Sequence, residues 1–212
     1  MEKGVYTEEA TEDFLRSYVP VAKHYLVDSF DAVEEKAKKL GFPLVLKIIS
    51  PDALHKSDIQ GVRFAKDFEE LTQAYEMLLE IVEKKKLSCK GILVQEYIEG
   101  SYVLIGLKKD SVFGHVLAFG IGGIYTELLK DVSFRICPIT SEDAEAMLQE
   151  LQMKDLLFGY RGSERVNIPL LKKTLVAVSR IPLHHKDIQE LDINPFVINH
   201  RKGFVVDARM II

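Results

Sequence analysis

The sequence predicts an α+β fold, in which helices and strands are grouped rather than strictly alternating. The first part of the chain follows the order helix, strand, loop, helix, and the second part is rich in strands and carries two helices. A doubly wound parallel sheet would require a regular alternation of the two element types instead. The composition, with 47% hydrophobic and 28% charged residues among 212, is that of an ordinary globular protein.

The first part of the chain is predicted to contain three helices and two strands. Residues 31–40 form a helix that starts with the capping pattern of Asp31 and Glu34 and ends before Gly41. Residues 67–85 carry an apolar stripe at helical spacing and form the longest helix. The other predicted elements are a short helix at residues 7–15, a buried strand at 44–49 and a strand at 92–98.

The second part is predicted to contain most of the strands. We expect one domain with two lobes, the first from about residue 10 to 94 and the second from about 95 to 212. The predicted strands are residues 102–107, 116–119, 125–129, 132–136, 188–198 and 204–208, and the predicted helices are 141–151 and 168–179.

Charge and cysteine content exclude several classes of function. The net charge of -4 does not indicate a nucleic-acid-binding surface, which is normally basic. No run approaches the roughly 20 apolar residues of a membrane span, and no apolar signal region follows the N-terminus. Cys89 and Cys137 lie outside any C-x-x-C pair and read as reduced thiols. We therefore expect a cytoplasmic protein without a membrane or nucleic-acid partner.

Lys47 interrupts the apolar run of residues 44–49. A lysine inside a buried strand must meet an anion or reach solvent, because an unpaired buried ammonium is costly. A nucleotide phosphate is a suitable anion. Spacing alone leaves this interpretation and a solvent-facing edge strand equally open.

The loop of residues 50–61 contains His55, Lys56, Ser57 and Asp58 in succession. A neutral imidazole is a competent nucleophile near pH 7 and can carry phosphate covalently. A neighbouring lysine would offset the phosphate charge, and an aspartate would orient the ring. The residues alone nevertheless favour a solvated polar loop.

A glycine-rich loop occupies residues 120–123. Glycines allow backbone amides to approach a phosphate, although a tight turn is the commoner reason for such a pattern. The pattern matches neither G-x-G-x-x-G nor the P-loop, which argues against Rossmann and Walker-type nucleotide binding.

Oxygen-bearing side chains alternate along the predicted strand near residue 190. Glu190, Asp192 and Asn194 are expected on one face, and a hairpin through Gly203 would bring Asp207 beside Asn194. Such oxygen ligands suit Mg²⁺ with nucleotide phosphates. The alternative is a solvent-facing strand edge, and the apolar residues on the opposite face favour the metal site.

Taken in order, these segments resemble the β subunit, or ATP-grasp portion, of ADP-forming acyl-CoA synthetases. The resemblance covers the chain from about residue 10 to its end. The matching stretches are GFPLVLKIISPDALHKSDIQGV (41–62), GILVQEYIEG (91–100), FGHVLAFGIGGIYTELLKDVSFRICPIT (113–140), GYRG (159–162) and ELDINPFVINHRKGFVVDARMII (190–212).

The resemblance implies an ATP-grasp fold with nucleotide held between two lobes. It implies that acyl-CoA, ADP and phosphate are converted reversibly to free acid, CoA and ATP. It further implies a separate CoA-binding α subunit, in an α2β2 assembly, and Mg²⁺ with ADP or ATP as cofactors.

The resemblance also implies roles for individual residues. The phosphate-accepting histidine would be His55, on a loop that swings. The implied nucleotide-binding residues are Lys47 at the phosphates, Glu96, Tyr97 and Ile98 at the hinge beside adenine, and Gly122, Gly123 and Lys130 lining the site, with Asp131 beside Lys130. The implied Mg²⁺ ligands are Asn194 and Asp207.

Three residues depart from the family pattern. Gln60 replaces the first glycine of a Gly-Gly pair, Tyr102 replaces a glutamate at the nucleotide site, and His115 replaces a proline. Gln60 and Tyr102 motivate an alternative function, a catalytically degenerate subunit that senses nucleotide. A third function, an ATP-grasp ligase that joins an acid to an amine, would not need the His55 loop.

Overall fold

The computed structural model describes residues 3–52, 59–123, 131–162 and 164–212. The chain forms two compact units. One comprises residues Ala22–Tyr97, and the other combines Met1–Val21 with Ile98–Ile212. The first 21 residues thus group with the C-terminal part, whereas the sequence analysis assigned residues from about 10 onward to the first lobe.

The smaller unit is built on a four-stranded antiparallel sheet with the strand order β2-β5-β3-β4. Its strands are β2 (His24–Val27), β3 (Leu44–Ile49), β4 (Val62–Ala65) and β5 (Gly91–Glu96), and its helices are α2 (Phe30–Leu40) and α3 (Phe68–Lys85).

One face of this sheet and the two helices share a hydrophobic core. Leu44, Leu46 and Ile48 of β3 are fully buried in it, together with Leu71 and Leu78 of α3. Because side chains alternate along a strand, Val45, Lys47 and Ile49 belong to the opposite face. The polar residue of β3 therefore lies away from the helices.

The larger unit contains a seven-stranded sheet in the described part of the chain. The strand order is β1-β11-β9-β6-β7-β8, and β10 pairs with β9. Its strands are β1 (Val5–Tyr6), β6 (Ser101–Asp110), β7 (Gly114–Ile121), β8 (Val132–Ile136), β9 (Glu190–Ile198), β10 (Gly203–Val205) and β11 (Ala208–Ile211).

Helices of the larger unit contribute to its hydrophobic core. Val103, Ile105 and Leu107 of β6 are buried there, while the alternate residues of β6 face away from this core. The helices are α1 (Glu8–Leu15), α4 (Ser141–Glu150), α5 (Asp155–Phe158) and α6 (Ile168–Arg180), followed by a 3-10 turn at Ile181–Leu183. No helix in the described ranges is both long and apolar enough to span a bilayer.

The α+β class and most predicted elements are confirmed. The helix predicted at residues 31–40 has Ser29 at its N-cap, so Asp31 lies inside the first turn and the proposed cap was wrong. The strand predicted at 204–208 is divided into β10 and β11. Strands β1, β2 and β4 were not predicted, and the strand predicted at 125–129 lies outside the described residues.

Candidate functional site

Lys47 is a buried cation in the middle of a sheet. It is 5% exposed, and β3 has β5 on one side and β4 on the other. The alternative of a solvent-facing lysine on an edge strand is therefore wrong. Burial of an ammonium is tolerated only with compensating polar contacts, so the side chain of Lys47 requires polar or anionic partners.

Two buried polar residues share the face of Lys47. Gln95 is 1% exposed and lies opposite both His24 of β2 and Val45 of β3. Lys47 follows Val45 by two residues, so its side chain belongs to the same face as Gln95. His24 is 8% exposed. This polar group was not predicted from the sequence, although Gln95 interrupts an apolar run just as Lys47 does.

The loop of residues 50–61 is attached at both ends by described residues. The backbone N–H of Ser88 donates to Oδ2 of Asp52 at 2.7 Å, and that of Asp52 donates to Oγ of Ser50. At the other end the Ile48 N–H donates to the Gly61 carbonyl at 3.0 Å. His55 itself lies outside the described residues.

Gln60 adopts a left-handed backbone with φ of 57°. This region favours glycine, because a side chain there crowds the backbone. Oε1 of Gln60 also accepts a 3.4 Å hydrogen bond from Nη2 of Arg63. A glycine at this position would adopt the same backbone freely, whereas Gln60 adopts it with some strain.

Residues 96–98 span the point at which the chain passes from the smaller unit to the larger one. Glu96 and Tyr97 are the last residues of the smaller unit, and Ile98 is the first residue of the second segment of the larger unit. The Glu96 N–H donates to the Lys23 carbonyl at 2.9 Å, and the Lys23 N–H donates to Oε1 of Glu96 at 2.8 Å. The Tyr97 N–H donates to the Pro43 carbonyl. These bonds fix the backbone immediately before the passage.

Gly122 and Gly123 lie against the start of β6. The Gly122 N–H donates to the Tyr102 carbonyl at 2.7 Å. A Cβ on Gly122 would come within 2.9 Å of the Tyr102 carbonyl carbon, and Gly123 has φ of 82°. Both glycines are therefore required by the backbone itself. The Tyr102 side chain, 42% exposed, reaches within 3.9 Å of the Cβ position of Gly123.

Asp131 closes the glycine-loop segment. Its side chain is 7% exposed, and its two carboxylate oxygens accept hydrogen bonds from the N–H groups of Gln152 and Met153, both at 2.9 Å. Asp131, which the resemblance placed beside Lys130 at the site, is thus engaged as an anchor of the α4–α5 connection. Lys130 lies outside the described residues.

Asn194 and Asp207 are brought together by the pairing of β9 with β10 and β11. The Asn194 N–H donates to the Asp207 carbonyl at 3.1 Å. β11 pairs with β9 up to Ile193 and β10 pairs from Phe196, so the two residues sit where the pairing changes partner. Asn194 is exposed and Asp207 is half-buried. Both side-chain oxygens are of the hard type that Mg²⁺ prefers.

Glu190 and Asp192 precede this pair on the face of β9 opposite Leu191 and Ile193. Glu190 receives a hydrogen bond from Nη2 of Arg209 at 2.9 Å, so its carboxylate is part of an ion pair. The alternation of exposure continues as far as Asn194, and the register shift between β6 and β9 lies between Ile193 and Phe196. Within the described ranges no three His, Cys, Asp or Glu side chains form a metal-binding group.

A cavity of about 480 Å³ lies on the core-distal face of the larger sheet. The small residues Gly106 and Ala118 leave room for it in the sheet surface, and Asp192 also lines it. Phe134, at 61% exposure, lines it from β8. The sequence analysis did not identify this cavity, because it arises from residues on four different strands.

The cysteines take no visible part in this arrangement. Burial raises the pKa of the Cys137 thiol to about 12. A thiol with such a pKa is almost entirely protonated near neutrality, and the thiolate is the reactive form. Cys137 is therefore a packing residue.

Comparisons with known proteins agree with this geometry. The model of the ATP-grasp domain family matches residues 1–212. The β subunit of acetate–CoA ligase [ADP-forming] I from Pyrococcus furiosus is 35% identical over 97% of this chain and 90% of that subunit. Other relatives, ADP-forming acetate–CoA ligases of archaea, are longer, and the chain spans only 29% of their length.

Solved structures of acetyl-coenzyme A synthetase 1 from Ca. Korarchaeum cryptofilum are similar along the whole chain. One, in complex with coenzyme A and Ca-AMPCP, has a TM-score of 0.95 at 38% identity and covers 100% of this chain and 94% of that one. Another holds coenzyme A and Mg-AMPPCP, with its phosphohistidine segment pointing towards the nucleotide site. Its TM-score is 0.85 at 37% identity, covering 98% of this chain and 92% of that one.

The fold expectation is therefore confirmed in its specific form, two antiparallel sheets of the ATP-grasp type. The chain belongs to the ATP-grasp family, in the group that forms the β subunits of ADP-forming acetate–CoA ligases.

Proposed function

We propose that the chain is the nucleotide-binding β subunit of an ADP-forming acyl-CoA synthetase. In this function phosphate passes from a phosphohistidine to ADP, within the overall conversion of acyl-CoA, ADP and phosphate to acid, CoA and ATP. The observation that carries the proposal is the juxtaposition of Asn194 and Asp207, whose backbones are hydrogen bonded at 3.1 Å.

Asn194 and Asp207 would hold Mg²⁺ together with nucleotide phosphates. Magnesium is normally bound by one or two protein oxygens plus phosphates and water, rather than by a complete protein cage. One amide and one carboxylate side chain fit that requirement. When bound, the ion would neutralise charge on the nucleotide phosphates.

The smaller unit would contribute its own phosphate contact. Lys47 lies on the polar face shared with Gln95 and His24, and a buried ammonium there is suited to a nucleotide phosphate. Glu96, Tyr97 and Ile98 would border the base, since they form the segment where the chain leaves this unit.

The larger unit would contribute the glycine loop. Gly122 and Gly123 hold their backbone close to β6, which leaves a loop of fixed geometry for phosphate. We assign Lys130 to the same phosphates from the sequence resemblance.

His55 would carry the phosphate. An oxygen of the ADP β-phosphate attacks phosphorus, the N–P bond breaks, and its electron pair returns to the imidazole. The resulting imidazolate nitrogen takes up one proton, and a new P–O bond completes ATP. This assignment is supported by the phosphohistidine segment of the similar synthetase structure.

The remaining parts of the reaction would be performed elsewhere. CoA binding and acyl-phosphate chemistry are assigned to a companion α subunit, in an α2β2 assembly, and the cytoplasm is the proposed location. The longer relatives support a companion, because this chain matches only 29% of their length.

Phosphohistidine formation tests the proposal directly. The purified chain is incubated with Mg²⁺ and ATP labelled at the γ-phosphate, and acid-labile label on protein is counted. His55→Ala should lose the label and keep its affinity for Mg-ADP, whereas the exposed-histidine control His200→Ala should be labelled like the wild type. Normal labelling of His55→Ala would refute the role of this histidine.

The two departures from the family pattern support a second function, a nucleotide sensor without turnover. Gln60 is strained at the end of the His55 loop, and Tyr102 replaces a carboxylate beside Gly123. Calorimetry with Mg-ADP and Mg-ATP separates the two functions. Binding of both nucleotides without any protein-bound label would favour the sensor.

A further inference from the structure

The GYRG motif at Gly159–Gly162 has no part in the function proposed above. Its backbone is unusual, because three of its four residues have positive φ: 95° at Gly159, 49° at Arg161 and 90° at Gly162. Glycine adopts such angles freely, but arginine does so only against steric strain. A strained residue persists where the surrounding structure imposes it, and such residues concentrate at functional sites.

The residues that flank the motif are anchored in the hydrophobic core of the larger unit. The Val166 N–H donates to the Leu157 carbonyl at 3.0 Å, and both side chains are buried in the core of the larger unit. The segment between Leu157 and Val166 therefore leaves the core and re-enters it at neighbouring points. Asn167, directly after Val166, donates its N–H to the Asn199 carbonyl at 2.9 Å and so joins the motif region to the β9–β10 turn.

The side chains of the motif are presented to the outside. Tyr160 is 48% exposed, and Arg161 is exposed with its guanidinium carbon 5.2 Å from the centre of the Tyr160 ring. Stacking on an aromatic ring holds a guanidinium in one orientation, which lowers the entropy lost when it binds. Tyrosine and arginine are also the residue types that most often dominate the energy of protein interfaces.

The surroundings of the motif are basic, although the whole chain has a net charge of -4. The exposed cations of the joined segments are Arg165, Arg201 and Lys202, and the exposed carboxylates are Glu99 and Glu164. The exposed carboxylate Glu164 is already in an ion pair with His200. A local excess of positive charge on an acidic protein fits an acidic partner surface.

We propose that the Gly159–Gly162 turn docks a carboxylate-bearing segment of the CoA-binding companion subunit, with Arg161 as its anchor. This inference rests on the proposed function, which requires such a companion. Arg161 suits the role because a planar guanidinium can bind a carboxylate with two parallel hydrogen bonds. The guanidinium is exposed, and the turn that carries it is anchored by the hydrogen bond from the Val166 N–H to the Leu157 carbonyl.

Affinity for the companion subunit tests the proposal. The chain and the CoA-binding subunit of the same organism are purified separately, and their Kd is measured by interferometry at low and high salt. Arg161→Ala should weaken binding about 10-fold or more and reduce the salt dependence. Arg161→Lys should fall between the two, because it keeps the charge and loses the bidentate geometry.

Two further variants separate docking from folding. Arg161→Asn should lose docking while its Tm equals or exceeds that of the wild type, because asparagine tolerates the left-handed region. Arg16→Ala removes another exposed arginine of the same unit, which pairs with Asp13 at 3.0 Å, and should leave the Kd unchanged. Labelling of His55 by ATP is measured in every variant and should be unaffected.

A Kd for Arg161→Ala within about twofold of the wild type, or equal losses in Arg161→Ala and Arg16→Ala, would overturn the docking inference. Either result would leave His55 labelling intact, so the proposed function would survive. Absence of label in the wild type, with docking still dependent on Arg161, would refute the proposed function alone.

Discussion

The two loops that carry predicted site residues, 50–61 and 120–131, are attached to the protein in different ways. Near one end of the first loop, the exposed carboxylate of Asp52 accepts one backbone hydrogen bond. Near its other end, Gln60 has a strained left-handed backbone. The second begins with Gly122 packed against the β6 backbone and ends at buried Asp131, which accepts two hydrogen bonds.

This difference fits the two tasks that we propose for the loops. Exposed single hydrogen bonds are readily exchanged for water, so an attachment like that of Asp52 can open at small cost. Buried carboxylates and close backbone contacts cannot be exchanged in that way. A phosphate carrier has to move, whereas a phosphate-binding loop has to hold its shape.

The largest effect is expected for Asp131→Ala. It would leave the N–H groups of Gln152 and Met153 without their buried acceptor, at a cost of about 3 kcal/mol of unfolding free energy, measured by urea denaturation. Asp110→Ala is the matched control, because Asp110 also accepts two backbone hydrogen bonds, from Val112 and Phe113, but in an exposed turn. Similar losses in both variants would show that burial does not distinguish the second loop.

The Asp110 control also has a defined pH dependence. Hydrogen bonds from Phe113 and Val112 lower the pKa of the Asp110 carboxyl. Its stabilising contribution is therefore present above the ordinary carboxyl pKa and is lost as the pH falls through the lowered value. Wild type and Asp110→Ala should converge in Tm in acid, and a difference that widens there would contradict the assignment.

The next effect is expected for Gly122→Ala. The new Cβ would lie 2.9 Å from the Tyr102 carbonyl carbon, so β6 or the loop must shift. We expect a loss of about 2 kcal/mol in unfolding free energy and weaker Mg-ADP binding by calorimetry. Gly106→Ala provides the stability control, since its nearest neighbour would be the Ala118 Cβ at 3.7 Å. Unchanged stability and affinity in Gly122→Ala would remove the packing constraint on this loop.

A smaller effect is expected for Asp52→Ala. The variant loses the hydrogen bond from the Ser88 N–H, worth about 1 kcal/mol at a surface site. Limited proteolysis between residues 50 and 61 should become faster, while Asp52→Asn should retain most of the protection. Equal cleavage rates in wild type and Asp52→Ala would mean that this bond does not restrain the loop.

The smallest effect, with the opposite sign, is expected for Gln60→Gly. Relief of the left-handed strain should exceed the entropy cost of glycine and raise the unfolding free energy by at most about 1 kcal/mol, measured by thermal denaturation. Gln60→Ala keeps the strain and should not gain stability. A clear loss in Gln60→Gly would show that the Arg63 hydrogen bond outweighs the backbone strain.

Strong local patterns allowed much of this arrangement to be predicted. The apolar stripe of α3 identified that helix to within a residue. The pairing of Asn194 with Asp207 followed from strand alternation and a hairpin, which are short-range rules. Lys47 was identified because a charge within an apolar run stands out.

The features that escaped prediction depend on distant segments. His24 lies in a four-residue strand that shows its polar environment only when β2 pairs with β5. Asp131 reads as an ordinary turn residue, and its burial depends on the α4–α5 connection more than twenty positions later. Residues 1–21 group with segments that lie beyond residue 97, an association across the chain that short-range sequence patterns do not show.

The pairing of β1 with β11 places Gly4 beside Ile212. The Gly4 N–H donates to the Ile212 carbonyl at 3.4 Å, and the Ile212 N–H donates to the Gly4 carbonyl at 3.1 Å. A short linker between these two residues would close β1 and β11 into a β-hairpin, and the sheet should then tolerate a break of the chain in the exposed turn at Val112. Any polypeptide that continued from β1 or from β11 would leave from the same margin of the sheet.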